Sequence, residues 1–400
     1  MDHDNSSLII PWNVDRLGYL PQGSPRLYRN IGIEIGLTLP KFVVRQRKNY
    51  LIFKSLFQKP HRISAFSVSP DSSRIATGYM DGTVLLYPTS TAPLTPTASI
   101  VVVPEPVDVT QSRVICEPHL SGVTSLKFFP SSRVILSSGQ DFSLCVVPAD
   151  LPDGDPTTYE ASVGPARIMR GHAGTVTDTA IIGVGRNVVS ASLDKKVRLW
   201  DVSSGQAIAT LLAKGPIMAM SLGERTLAPP DGEEAVVPPL DQREAPEMSE
   251  KVVFCALKNG SFEVLDLGIK KSAYVSPPSL ESPLTSIAYS PCSSLLATGS
   301  SSGVVTLYDA RSLNSPLTSF ARMKGEIEDI AFMSRNNNGV VSLAIASSDG
   351  LPYVASILPE GPGVLAELVG VDCDAVRHVV GLGNYIWTAS DDGVVRRYLL

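Results

Sequence analysis

One pattern recurs along the 400 residues and constrains the fold more than any other feature. It runs as a short apolar segment, a polar tight turn, a second apolar segment rich in small residues, a turn built on Asp or Gly, and a third apolar segment. Clear copies begin at Ile63, Val123, Val176 and Leu284, and looser ones at Ile217, Ile327 and Val376, seven in all. The apolar runs last about five residues and are bounded by Gly, Asp, Ser, Asn or Pro, which is the punctuation of short strands. Asp81-Gly82, Asn259-Gly260, Asp349-Gly350 and Asp392-Gly393 fall between second and third runs. There such pairs favour the positive φ of a two-residue hairpin turn. A three-stranded copy cannot bury both its faces, so the copies must stack around an axis, each as one blade.

The expected fold is therefore all-β: a seven-bladed WD-repeat β-propeller. The last copy ends on its third strand and lacks an outer partner. The one unassigned β-like segment, Lys41 to Phe57, is expected to supply it near Leu51 to Phe57, so that an N-terminal strand closes the ring and no edge is left open. Residues 1–40 are read as a short N-terminal appendage and 41–400 as the propeller. An insertion from Leu222 to Lys251 inside blade four is rich in Pro and acids and poor in aromatics, which predicts a mobile excursion.

Composition narrows the function classes. Hydrophobic residues make up 44% and charged residues 18%, enough to bury a core. A net charge of -5 gives no general electrostatic reason to hold nucleic acid. The start, MDHDNSSLIIPW, lacks a basic segment followed by a long apolar run, so no signal peptide is expected. No run reaches the roughly 18 apolar residues that would span a membrane. The five cysteines are scattered, without CxxC spacing, and read as thiols in a reducing compartment. The expectation is a soluble cytoplasmic and nuclear protein, monomeric on its own. No histidine pair has HxxxH or HExxH spacing, and no metal or cofactor is expected. Arg45 to Lys48 and Arg396-Arg397 read as solvated strand faces.

Blade three alone carries a full signature: Gly171-His172, a serine at Ser190 or Ser192, Asp194 in the turn, and Trp200-Asp201. His, Ser and Asp together invite a catalytic reading. A buried Trp N–H and a buried His both need partners, however, so the set is read as a structural network of His172, Ser190, Asp194 and Trp200. A nucleophile would also need a pocket and oxyanion donors. Tyr87, Val147, Leu265, Tyr308 and Tyr398 stand where other blades would carry Trp.

DTAIIGVGRNVVSASLDKKVRLWD in blade three resembles the most distinctive stretch of the proteasomal ATPase-associated factors. TSLKFFPSSRVILSSGQD, LVGVDCDAV and the C-terminal DDGVVRRYLL follow the same resemblance, as does the short PRLY near the start. It implies a non-enzymatic WD-repeat assembly chaperone that binds the C-terminal domain of one AAA-type ATPase subunit of the proteasome regulatory-particle base.

The loops between blades and the second-to-third-strand turns open on one face of a propeller. Placed there, Glu326, Glu328, Asp329, Asp372, Asp374 and Asp391 form a candidate acidic contact surface, against fewer cations at Arg170, Lys195, Lys196, Lys258 and Lys324. Charge reversal at Glu328 and Asp372 is expected to weaken binding and spare the fold. Two alternatives are a substrate receptor of a cullin-RING ubiquitin ligase, through VVTLYDAR from Val304 to Arg311, and a propeller hydrolase working at the central channel.

Overall fold

Each copy folds as a series of hairpins because its turn residues set strand register. A computed structural model describes residues 49–52, 62–89, 112–151, 159–226, 241–278, 282–333, 341–358, 361–370 and 374–399. These residues form seven sheets. Their inner strands are Ile63–Val68, Val123–Phe128, Val176–Ile182, Ile217–Glu224, Leu284–Ser290, Ile327–Phe332 and Val376–Leu382. All seven begin on the residues at which the sequence copies begin. Tyr87, Val147, Trp200, Leu265, Tyr308 and Tyr398 share one register position, opposite Ile75, Ile135, Val188, Val253, Leu296 and Ile386.

Gly82, Gly260, Gly350 and Gly393 all have positive φ. At Gly82 the need is absolute, since a Cβ there would lie 2.2 Å from the His119 carbonyl oxygen. Phe142 and Lys195 hold the equivalent left-handed place in blades two and three without being glycine, a strained conformation for residues with a side chain.

The ring closes with Asn49–Ile52 paired antiparallel to the last strand, Leu51 opposite Val395 and Ile52 opposite Val394. The closing strand thus starts earlier than expected and shares only Leu51 and Ile52 with the segment Leu51 to Phe57. Ile52 meets the first residue of the strand Val394–Leu399; residues 53–57 lie outside the described residues, as does the appendage 1–40. A second difference lies in blade one. Tyr159–Ser162, outside every copy of the repeat, adds a fifth strand parallel to Ser112–Cys116. The chain then crosses to blade two as Arg167–Arg170.

Packing repeats with the blades. Among the described residues, seven clusters of buried apolar side chains occur, one at each interface between neighbouring blades. Most members are Val, Ile, Leu and Ala, whose branched or compact shapes fill the space between twisted sheets.

The insertion in blade four needs correction at both ends. Leu222 belongs to the inner strand Ile217–Glu224, and Lys251 begins the next strand, Lys251–Leu257. Residues 241–250 are docked. Asn187 donates from Nδ2 to the Arg243 carbonyl at 3.1 Å and accepts the Ala245 N–H at 2.8 Å. Glu244 is buried against Lys270 at 2.6 Å, and Met248 is buried in the cluster between blades three and four. Satisfied polar groups plus an apolar anchor hold this limb, so the expected mobility does not apply to it; 227–240 lie outside the described residues.

Candidate protein-binding face

The candidate face is built on one backbone irregularity repeated seven times. Each inner strand has a register shift at its second residue: Ser64, Thr124, Thr177, Met218, Thr285, Glu328 and Arg377. A bulge leaves its extra residue unpaired and re-aims its side chain. In four blades that side chain is a hydroxyl that donates to the first carbonyl of the next inner strand. Ser64 reaches Val123 at 2.8 Å, Thr124 reaches Val176 at 2.5 Å, Thr177 reaches Ile217 at 3.1 Å, and Thr285 reaches Ile327 at 2.6 Å.

Blades six and seven replace this stitch with charge. Arg377 Nη1 donates to Glu328 at 2.6 Å, while its Nε and Nη2 grip Asp391 at 3.1 and 2.9 Å. Arg62 stands 3.7 Å from the same carboxylate. Burial raises the Glu328 carboxyl above its ordinary value, more than the Arg377 charge lowers it. The bond to Asp391 heads the effects that hold Arg377 firmly protonated. Asp329 is structural as well: it accepts the Val379 N–H of the next blade at 3.1 Å and the Ile330 N–H at 2.9 Å. Asp178 in blade three does the same to Met220 and Thr179.

The acidic surface drawn from sequence is therefore corrected. Glu328, Asp329 and Asp391 are engaged in joining blades, and reversing Glu328 would leave Arg377 and Asp391 facing a broken stitch rather than sparing the fold. Asp372 lies outside the described residues. Asp374 is exposed and Glu326 half-buried, and neither is in a described ion pair. Arg377, which organises the cluster, escaped the sequence reading because nothing local marks the second residue of an inner strand as a bulge.

The blade-three network has the expected form. His172 donates from Nδ1 to Asp194 at 2.9 Å, and its Nε2 accepts from Ser190 Oγ at 2.7 Å; Ser190 Oγ in turn accepts the Trp200 indole N–H at 2.8 Å. This places the neutral tautomer between an acceptor and a donor. Burial depresses the His172 pKa despite the Asp194 charge. For Asp194, burial alone would raise the pKa, but the Ala173 N–H and His172 outweigh it and lower it. The His172 ring is wholly buried, and this His, Ser and Asp tie the strands and turn of blade three together.

Blade two holds a second copy, hidden in the sequence by Val147 at the Trp position. His119 bonds Asp141 at 3.0 Å and Ser137 at 2.9 Å, with Val147 in the Trp position. The signal was present: His and Asp are 22 residues apart and His and Ser 18 apart in both blades. Arg396-Arg397 also departs from the solvated reading. Arg396 is buried against Ser390 and Asp392, and Arg397 lies 5.2 Å over both the Tyr385 and Trp387 rings.

At the opposite end of the inner strands a cavity of about 450 Å³ is lined by residues including Pro70, Lys127, Phe128, Pro130 and Met220. Lys127 in this lining stands 3.9 Å from Asp178, whose carboxylate already accepts the Met220 and Thr179 N–H groups. In the turn after the strand Val304–Asp309, Asp309 holds the Arg311 fork at 2.9 and 2.8 Å.

Comparison with known proteins follows the same repeat. The family "WD domain, G-beta repeat" is matched by residues 54–87, 110–147, 164–201 and 276–309, which fall on blades one, two, three and five. The chain is 31% identical over 110 residues to WD repeat-containing protein 18 of Rattus norvegicus, covering 27% of this chain and 25% of that protein. It is 43% identical over 102 residues to the 26S proteasome regulatory subunit RPN14 of Saccharomyces cerevisiae, 26% of this chain and 22% of that one. It is 26% identical over 164 residues to "Probable proteasomal ATPase-associated factor 1" of Dictyostelium discoideum, 40% and 38% respectively. The chain spans about a quarter to a half of the length of the first curated relatives it matches. These matches and the seven sheets together make the molecule a WD-repeat β-propeller, with distant relatives named as proteasome-associated factors.

Proposed function

We propose that this propeller is a non-enzymatic assembly chaperone that binds the C-terminal domain of one AAA-type ATPase subunit of the proteasome regulatory particle, in the cytoplasm and nucleus. The observation that carries the reading is the 43% identity over 102 residues to a protein named as a 26S proteasome regulatory subunit. A relative named as a proteasomal ATPase-associated factor supports it. Among the described candidate acids, Asp374 and Glu326 lie outside the interblade stitches and are the acidic contacts. Rim charges of this kind act mainly on the rate of encounter and on orientation.

The test presents the purified full chain with the C-terminal domain of each proteasomal ATPase in turn and reads complex formation by size-exclusion chromatography. A one-to-one complex with a single domain is expected. Failure to bind any of them overturns the proposal.

A further inference from the structure

We propose that the loops crowning blades three and four form a docking surface for an acidic polypeptide segment that also carries an apolar side chain. This goes beyond the ATPase reading and does not rest on it. The candidate face is sorted by charge. Arg170, Lys195, Lys196, Lys214 and Lys258 all lie on the adjacent strand ends and turns of this quarter, and all but the half-buried Lys196 are exposed. None of them pairs with a described carboxylate.

The nearby acids are consumed internally. Asp194 accepts from His172 and from the Ala173 and Lys196 N–H groups. Glu263, buried, accepts the Lys214 N–H at 2.7 Å and the Ser272 hydroxyl at 2.6 Å. The same bonds that satisfy these carboxylates fix the loops that carry the lysines.

Backbone contacts tie those loops together. The Lys195 carbonyl accepts the Ala213 N–H at 2.8 Å, and the Lys258 N–H reaches the Pro216 carbonyl at 3.0 Å. Lys195 itself is held left-handed at φ 68°. Leu212 sits directly opposite Lys196 across paired strands and is 69% exposed; Leu193, 39% exposed, immediately precedes the Asp194 turn. Cations on pinned loops with two uncovered leucines among them complement carboxylates interleaved with an apolar side chain. Lysine meets carboxylates as a mobile point charge, without the planar geometry of a guanidinium fork. The described residues of these loops expose no aromatic ring, the usual platform for stacking single-stranded bases, and this favours polypeptide over nucleic acid.

The test uses the full chain and a fluorescein-labelled peptide of alternating glutamate and leucine, read by fluorescence anisotropy. Binding is expected to weaken at least about tenfold, the equivalent of 1.4 kcal/mol, in Lys214→Glu/Lys258→Glu and in Leu212→Ser. Lys271→Glu, on the outer strand of blade four, should leave binding unchanged, and all variants should melt with the wild type. The proposal is overturned by no binding of the peptide, by equal binding when its leucines are replaced with serine, or by tighter binding of single-stranded oligothymidylate at the same lysines. Capture of an ATPase domain, or its failure, alters none of these outcomes.

Discussion

The blades joined by Ser64, Thr124, Thr177 and Thr285 and the pair joined by Glu328 and Arg377 solve one problem with two chemistries. Both occupy the same bulged position and both tie an inner strand to its neighbour. The hydroxyl stitch is neutral and fully satisfied, so it should be indifferent to salt and to moderate pH. The ionic stitch gathers two carboxylates around one guanidinium at the rim of the candidate face. Acids on the candidate face can therefore be architecture, and their partners decide which they are.

The largest effect is expected where blade three differs from blade two, at Trp200. Trp200→Ala should cost about 3–5 kcal/mol, through lost packing and an orphaned Ser190. Denaturant unfolding measures it, and a loss below about 1 kcal/mol would mean the blade is braced elsewhere.

Next is the ionic stitch. Arg377→Met leaves Glu328 and Asp391 facing each other, and should cost about 2 kcal/mol, less than a fully buried pair because a third of the side chain is solvated. Adding Glu328→Gln should recover part of the loss. A double variant no better than the single one would break the assignment.

Thr124→Val removes one neutral stitch and should cost about 1 kcal/mol. That loss should be the same in low and high salt, whereas the Arg377→Met loss should shrink as salt rises. Equal salt dependence in the two would erase the distinction between the neutral and the ionic stitch.

Acidification gives a further contrast. Burial lowers the pKa of His119 and of His172 below 6.5, so the unfolded chain takes up these protons first. Their contribution is complete above 6.5 and declines as pH falls through the lowered folded values. Glu328 has the opposite sign: its pKa is raised above 4.5, so its contribution declines as pH rises through 4.5. Unfolding curves recorded from neutral pH downward should show a flatter profile for His119→Gln/His172→Gln than for the wild type. The smallest expected effect on stability is that of Asp374→Lys, which should leave the melting temperature unchanged while slowing association with the ATPase domain.

Legibility followed the range of the interactions. The seven strand starts could be read because alternation and Asp-Gly turns act within a few residues of each other. His172, Ser190, Asp194 and Trp200 were legible through the Trp that marks them. His119, Ser137 and Asp141 were obscured by Val147, although the spacings of 22 and 18 match. The roles of Glu328, Asp329 and Asp391 were not legible, since Arg377 lies 49 residues from Glu328 and meets it only across two blades.

By itself the sequence determined the repeat, its count and the fold class, because strand period and turn chemistry are local properties of a chain. Only the tertiary structure decided which strand residues close the ring, which limb of the insertion is docked, and which carboxylates are already held by a neighbouring blade. Those outcomes depend on what the next blade presents at bonding distance, and no spacing within a single blade encodes that.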